Sequence, residues 1–280
     1  MSRAVVIQSG GGNGAYAGHA LATLEAQGFT YDALFGCSVG GVIAHLAATI
    51  GIKAGMQAWD SEITGFLNVF FPNLLVPDDA GLFSISPLQK ILEKYTKGVK
   101  ASKPYTVSMV DWDYGVLHHV PLQDHANPIG AVLAGCSIPL LVNPYPNTGI
   151  LDDGSVTELM DGGGGEDTPL QEAMNQGFDE ILVIMCQPNR APMCQFTELS
   201  ALWPGPLFDM IRLAQRAMRT LDIKMHTAML ADLKAAALYK GKVSILSPLV
   251  SAGNVLDFST PANAKRAAQG ISDAQAWAGF

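Results

Sequence analysis

Twice before residue 50, a short apolar run ends in glycine and a segment with helical spacing follows at once. Ala4–Gln8 is β-branched and runs into Ser9-Gly10-Gly11-Gly12-Asn13-Gly14. Beyond it, Ala17, Ala20, Leu21 and Leu24 recur at the period of one helix face. Ala33–Gly36 is a second short run, and Val39–Ile50, apolar nearly all round, reads as a buried helix. A strand, a glycine turn and a helix, repeated in that order, restrict the chain to the α/β class, because such crossovers make successive strands parallel.

The later segments keep the alternation. Thr106–Asp111, Gly115–Leu122, Glu180–Cys186 and Val243–Leu246 read as strands. Ser86–Thr96 reads as a helix with a serine cap and Pro87 at its first position. Pro128–Gly135, Leu170–Gln176, Leu207–Leu238 and Asn263–Trp277 also read as helices, and Ile150–Met160 as a hairpin turning at Asp153-Gly154. Phe66, Phe70, Phe71, Leu74 and Leu75 enrich the segment between Glu62 and Ser86, which reads as a loop packed on the core or as a gating lid. With no repeat or linker, the expectation is one domain over residues 1–280 with a mostly parallel central sheet.

Composition removes several classes of function. The chain has 280 residues, 49% of them apolar and 15% charged, enough for a sizeable core. A formal net charge of −8 argues against nucleic acid as a partner, since that binding rests on Lys and Arg neutralising phosphates. Cys37, Cys136, Cys186 and Cys194 are widely spaced and suggest neither a disulfide framework nor a zinc site. The N-terminus MSRAVVIQSGGG has no signal-peptide pattern, and the longest apolar stretch, Gly41–Ile52, is too short to span a bilayer. A cytoplasmic protein with at most peripheral membrane contact is expected.

Three motifs carry chemistry. Gly36-Cys37-Ser38-Val39-Gly40 is a G-x-S-x-G match between a strand and a helix. Its glycines permit a sharp turn that would present Ser38 as a nucleophile at a helix N-terminus; alternatively Ser38 is only an N-cap. Cys37 reads as a small structural residue. The backbone amides of Gly10, Gly11, Gly12, Asn13 and Gly14 could form an oxyanion hole. The same loop fits G-x-G-x-x-A through Gly10, Gly12 and Ala15, with Asp32 downstream, so a nucleotide-dependent oxidoreductase competes on this loop alone. Leu159-Met160-Asp161-Gly162-Gly163 places an aspartate at a strand end, where it could accept the serine proton; Asp152 and Asp153 are explained by the turn.

The order of these motifs, glycine loop, G-x-S-x-G and distant D-G-G, resembles the patatin-like phospholipases. Gly81-Leu82-Phe83, Ser137-Ile138-Pro139, Asn143-Pro144-Tyr145, Gly177-Phe178-Asp179-Glu180 and Asp257-Phe258-Ser259 resemble that family too, so the likeness runs nearly the whole chain. It implies a three-layer α/β/α fold and hydrolysis of lipid acyl esters without cofactor or metal. It implies Ser38 as nucleophile, Asp161 as sole base and the glycine-loop amides as oxyanion hole. Two positions depart from the family pattern: Asn13 stands where Lys or Arg is usual, and Ser9 where the first glycine is usual.

No histidine is needed in that scheme. His226 alone follows Asp161, inside a helical pattern, and His19, His45, His118, His119 and His125 precede it as packing or surface residues. Lys90, Lys94, Lys97, Lys100 and Lys103 form either an ordinary solvated face or a patch for anionic lipid; Arg212, Arg216 and Arg219 repeat the helical spacing. A non-catalytic lipid-binding or interaction protein on the same fold remains the other alternative.

Overall fold

The computed structural model describes residues 1–73, 81–139, 141–152, 157–188, 227, 229–251 and 253–277. In chain order the elements are β1 (Arg3–Ile7), α1 (Gly14–Ala26), β2 (Ala33–Cys37), α2 (Val39–Thr49), α3 (Ile52–Glu62), β3 (Phe71–Pro72), β4 (Phe83–Ser84), α4 (Ser86–Thr96) and β5 (Tyr105–Asp111). They continue with β6 (Leu117–Pro121), α5 (Pro128–Ala134), β7 (Tyr145–Pro146), β8 (Glu158–Asp161), α6 (Leu170–Asn175) and β9 (Glu180–Ile184). Last come α7, described over 229–236, β10 (Lys242–Leu246) and α8 (Thr260–Ala276).

The main sheet runs β10-β9-β1-β2-β5-β8-β7, with β6 on the other edge of β5. Its centre, β10-β9-β1-β2-β5, is parallel, and β6, β7 and β8 are antiparallel additions. Alternate residues of the central strands feed two cores. Val5, Ile7, Leu34, Leu182 and Ile184 face the larger one, with Tyr16, Leu21 and Leu24 of α1 and Ile43 and Leu46 of α2. Ala4, Val6, Phe35, Ile181 and Val183 face the smaller, with Leu170, Ala173 and Met174 of α6 and Met229 and Leu233 of α7. Burial on both faces explains why these strands read as continuous apolar runs rather than alternating ones. The result is the expected three-layer α/β/α arrangement.

Several boundaries differ from expectation. Helix α3 follows Gly51 directly and buries Ile52, Met56 and Trp59, an apolar stripe that the sequence reading passed over. The serine helping to start α4 is Ser84, whose Oγ accepts the Ser86 N–H at 3.1 Å; no side chain caps the helix from its N-cap position, Ile85. Besides β5, β8 pairs antiparallel with Tyr145–Pro146, upstream of the expected hairpin, and Asp153 and Gly154 lie outside the described residues. Most of Leu207–Leu238 also lies outside them, as do Leu74, Leu75, Cys194, Arg212, Arg216, Arg219 and His226.

The segment after α3 packs on the core. Phe66 packs tilted against Phe70 and edge-on against Phe83, at ring separations of 5.0 Å each, and Phe70 meets Phe258 at 5.9 Å. Among the described residues, no helix is long and apolar enough to cross a membrane.

Candidate active site

Ser38 sits where β2 turns into α2, with φ 53° and ψ −124°. Among the described residues it is the only non-glycine with positive φ. Such a backbone costs on the order of 1–3 kcal/mol and persists only where the surroundings enforce it. Here the enforcement is close packing of the turn upon itself and upon β1. A Cβ on Gly36 would stand 2.3 Å from the Gly40 carbonyl oxygen, and one on Gly40 would stand 2.3 Å from the Ile7 carbonyl oxygen. Both glycines of the pentapeptide are therefore needed for close approach. The Ser38 side chain makes no capping bond to α2, so the N-cap reading of its hydroxyl does not apply.

Strand β5 brings the aspartate to the serine. Its one edge is taken by β6 along Thr106–Val110. Its other edge is shared: β2 covers it as far as the Cys37↔Ser108 pair, and β8 begins its coverage at Asp161↔Met109. Because β2 runs parallel to β5 and β8 antiparallel, their C-terminal ends meet on adjacent residues of β5. Ser38 follows one end and Asp161 is the other. The Ser38 hydroxyl donates to Asp161 Oδ2 at 2.6 Å.

The aspartate is firmly held. Its backbone N–H donates to the Ser137 carbonyl at 3.0 Å, and its Oδ1 accepts the Gly163 N–H at 2.8 Å. Gly162 lets the chain turn away, since a Cβ there would stand 2.6 Å from the Ser108 carbonyl oxygen. Ser38 is 7% exposed and Asp161 5%. Burial raises the Asp161 carboxyl from an ordinary 3.8 to about 6, against the lowering effect of the Ser38 and Gly163 hydrogen bonds and with a smaller push from Asp167. At neutral pH the group is ionised yet basic enough to take a proton.

The glycine loop lies beside this pair. Gly14 packs on Val39, the residue after the serine: a Cβ on Gly14 would stand 2.4 Å from Val39 Cγ2. The five candidate amides are not equivalent. Gly12 donates to the Val255 carbonyl at 2.6 Å, Asn13 to Gly10 O at 3.0 Å, and Gly14 to the carbonyls of Gly11 and Gly12. The amides of Gly10 and Gly11, at φ 155° and 52°, have no acceptor among the described residues. Asn13 is 1% exposed, and neither Oδ1 nor Nδ2 has a partner among them.

Asp32 does not sit where a ribose-binding acid would. It precedes β2, where its carboxylate accepts the Arg3 N–H at 2.7 Å, whereas the glycine loop follows the opposite end of β1. That separation removes the pairing on which the oxidoreductase reading depended.

Residues missed in the sequence reading tie the parts together. Asp167, buried at 7% exposure, accepts from Gln8 Nε2 at 2.5 Å and from the Ser9 hydroxyl, and its carbonyl accepts the Ser9 N–H at 3.0 Å. The segment after Asp161 is thereby tied to the start of the glycine loop. Ser9, at the family's first glycine position, thus has a partner of its own. Cys37 is buried, donates to the Glu166 carbonyl at 3.3 Å, and is pushed well above the usual thiol range by burial. His45 lies between the Tyr105 hydroxyl at 2.7 Å and Thr96 Oγ1 at 2.8 Å, and His119 against Glu166 at 2.8 Å. Of the lysine cluster, Lys94 pairs with Glu62 at 2.6 Å, Lys100 with Asp124 at 3.2 Å, and Lys103 donates to the Tyr31 carbonyl at 2.8 Å.

The sequence pattern of the patatin-like phospholipase family matches residues 5–174, more than half of the chain. The chain belongs to the patatin-like phospholipase family. The match includes the glycine loop, the serine turn and Asp161, and ends within α6, so β9, β10 and α8 of this patatin-like protein lie beyond it. Among solved structures, the crystal structure of VipD from Legionella pneumophila is similar at a TM-score of 0.44 and 10% identity, over 98% of this chain and 67% of that one. No curated protein sequence matches the chain.

Proposed function

We propose that the protein is a lipid acyl hydrolase working through a Ser38–Asp161 dyad. The observation that carries this is the 2.6 Å hydrogen bond from the Ser38 hydroxyl to a buried carboxylate, made at a strained strand-to-helix turn. Family members act on lipid esters, so a carboxylic ester of a lipid is the substrate class. Ser38 Oγ attacks the ester carbonyl while Asp161 takes its proton. The carbonyl oxygen becomes an oxyanion at the positive end of α2, with the Gly10 and Gly11 amides as the donors left over for it. Asp161 then returns the proton to the departing alcohol, leaving an acyl-serine. Water, deprotonated by the same carboxylate, attacks that ester; the fatty acid leaves and the proton returns to Ser38.

Residues 1–280 act in this reading as one catalytic domain. Support comes from β9, which pairs with β1 along Arg3–Ile7, and from Val255, which accepts the Gly12 amide. Both lie beyond the family match.

The test is hydrolysis of a soluble acyl ester and of phospholipid and neutral-lipid vesicles by wild type, Ser38→Ala and Asp161→Asn. The proposal expects release of fatty acid from at least one lipid class by the wild type alone. Equal release by Ser38→Ala would sink it, and no release by wild type from any substrate would favour a lipid-binding protein on the same fold.

A further inference from the structure

Arg266, on α8, is fully buried at 0% exposure and makes no ion pair among the described residues. Its two Nη groups bond to backbone carbonyls, while Nε has no hydrogen-bond partner among the described residues. Nη2 donates to Asn254 O at 2.6 Å, Nη1 donates to Asp257 O, and Nη1 reaches Asn263 Oδ1 at 3.4 Å. Between the two gripped carbonyls lies Val255, whose own carbonyl accepts the Gly12 amide at 2.6 Å. The contact with the loop is also steric. A Cβ on Gly12 would stand 2.7 Å from Asp257 O, 2.9 Å from Arg266 Nη1 and 3.3 Å from Val255 O. A Cβ on Gly11 would stand 2.4 Å from Val255 O.

No carboxylate among the described residues pairs directly with this buried cation, although the nearby Asp257 carboxylate favours its charge; burying it still costs the fold, and an apolar side chain would spare that cost. What an apolar side chain could not do is grip two carbonyls in a fixed fork, which is the particular capacity of arginine. The same group sets positive charge, partly offset by the Asp257 carboxylate, against the loop on which the oxyanion would rest. Position 13, where this loop could itself have carried a cation, holds neutral Asn13.

We infer that Arg266 is a positioning residue for ester hydrolysis: through the backbone of residues 254–257 it fixes the glycine loop, and its charge favours the oxyanion formed there. This rests on the dyad proposed above. It makes a segment beyond the family-matched residues part of the catalytic apparatus.

The experiment compares wild type, Arg266→Gln and Arg266→Lys with a soluble 4-nitrophenyl ester, recording kcat and KM separately, alongside thermal unfolding and the rate of phosphonylation of Ser38 by a fluorophosphonate. Deleting one oxyanion donor costs about 10²–10³ in kcat, so loosening the donors in Arg266→Gln should cost about tenfold or more. KM should stay within about twofold, because ground-state binding is not the interaction removed. Arg266→Lys keeps the charge but cannot span both carbonyls, and should recover part of kcat. Phosphonylation should slow in parallel. A folded Arg266→Gln with wild-type kcat overturns the inference, as does a loss carried by KM. Failure of both variants to fold overturns it too, by making Arg266 a stability residue. Absence of activity and labelling in the wild type would instead overturn the dyad itself, so the two failures are distinguishable.

Discussion

Asp161 carries a stability cost that can be measured without any substrate. Its carboxyl titrates at about 6 in the folded protein, raised from an ordinary 3.8 chiefly by burial. Below the lower value both folded and unfolded chains hold the proton, and nothing is lost. Between the two values the folded protein retains a proton that the unfolded chain has released, so stability falls as pH rises through this window. Above the upper value the loss is complete. A rise of about two pH units, at about 1.4 kcal/mol each, amounts to about 3 kcal/mol, a sizeable share of the roughly 5–15 kcal/mol that folds a domain.

Asp161→Asn removes this cost, because an amide does not ionise. It also alters the bonds to Ser38 and Gly163, but that change does not depend on pH. The stability of Asp161→Asn relative to wild type should therefore rise by about 3 kcal/mol between about pH 4 and pH 7, whatever its sign at either end. Asp232, also raised to about 6, and His119 titrate in both proteins and cancel in the difference. Urea unfolding of both proteins across that range measures it. A difference that stays flat with pH, or shrinks as pH rises, would show that Asp161 is not a desolvated carboxylate in the folded protein.

The proposed reaction depends on the same titration. Only the ionised carboxylate accepts the serine proton, so kcat/KM should fall about tenfold per pH unit below an apparent pKa of about 6; a pH–rate profile with no such acid limb contradicts Asp161 as base. Gly40→Ala should abolish activity and sharply lower the melting temperature, its Cβ falling 2.3 Å from the Ile7 carbonyl oxygen, whereas Gly164→Ala, whose nearest neighbour is 3.6 Å away, should melt near wild type. His45, buried and lowered to about 4, should be structural. His45→Ala should cost about 1–3 kcal/mol by stranding buried hydroxyls, and leave kcat of the folded protein unchanged; a collapse in kcat without loss of stability would assign it to catalysis.

How much was legible in the sequence depended on how local each feature is. β1, β2 and β9 could be read because strands buried on both faces are short apolar runs, and β5 because apolar and polar residues alternate from Tyr105 to Met109. The turn at Ser38 could be read because its glycines act within the same turn. Helix α3 was passed over although Ile52, Met56 and Trp59 keep helical spacing, since Lys53, Gln57, Asp60 and Glu62 dilute the pattern. β7 could not be read: it is two residues long, one of them a proline, and exists only by pairing with β8.

The site follows the same rule. Ser38 and Asp161 were identifiable separately, but their contact arises where β2 and β8 meet end to end on β5, which no local pattern encodes. Which amides of the glycine loop are spoken for was equally hidden, because the acceptor for Gly12 is Val255, far along the chain. Asp167 and Arg266 gave no signal of their own, as an acid before a short helix and a base within a long one are commonplace.

The most direct measurement is covalent labelling of Ser38. The intact protein is incubated with a fluorophosphonate, a control hydrolase alongside, and the modified residue is located by peptide mass spectrometry. Wild type should be labelled at Ser38 and nowhere else, Ser38→Ala should not be labelled, and Asp161→Asn should label more slowly by about 10²–10⁴-fold, the usual contribution of a general base. An unlabelled wild type beside a reactive control, or labelling that survives Ser38→Ala, would contradict the dyad.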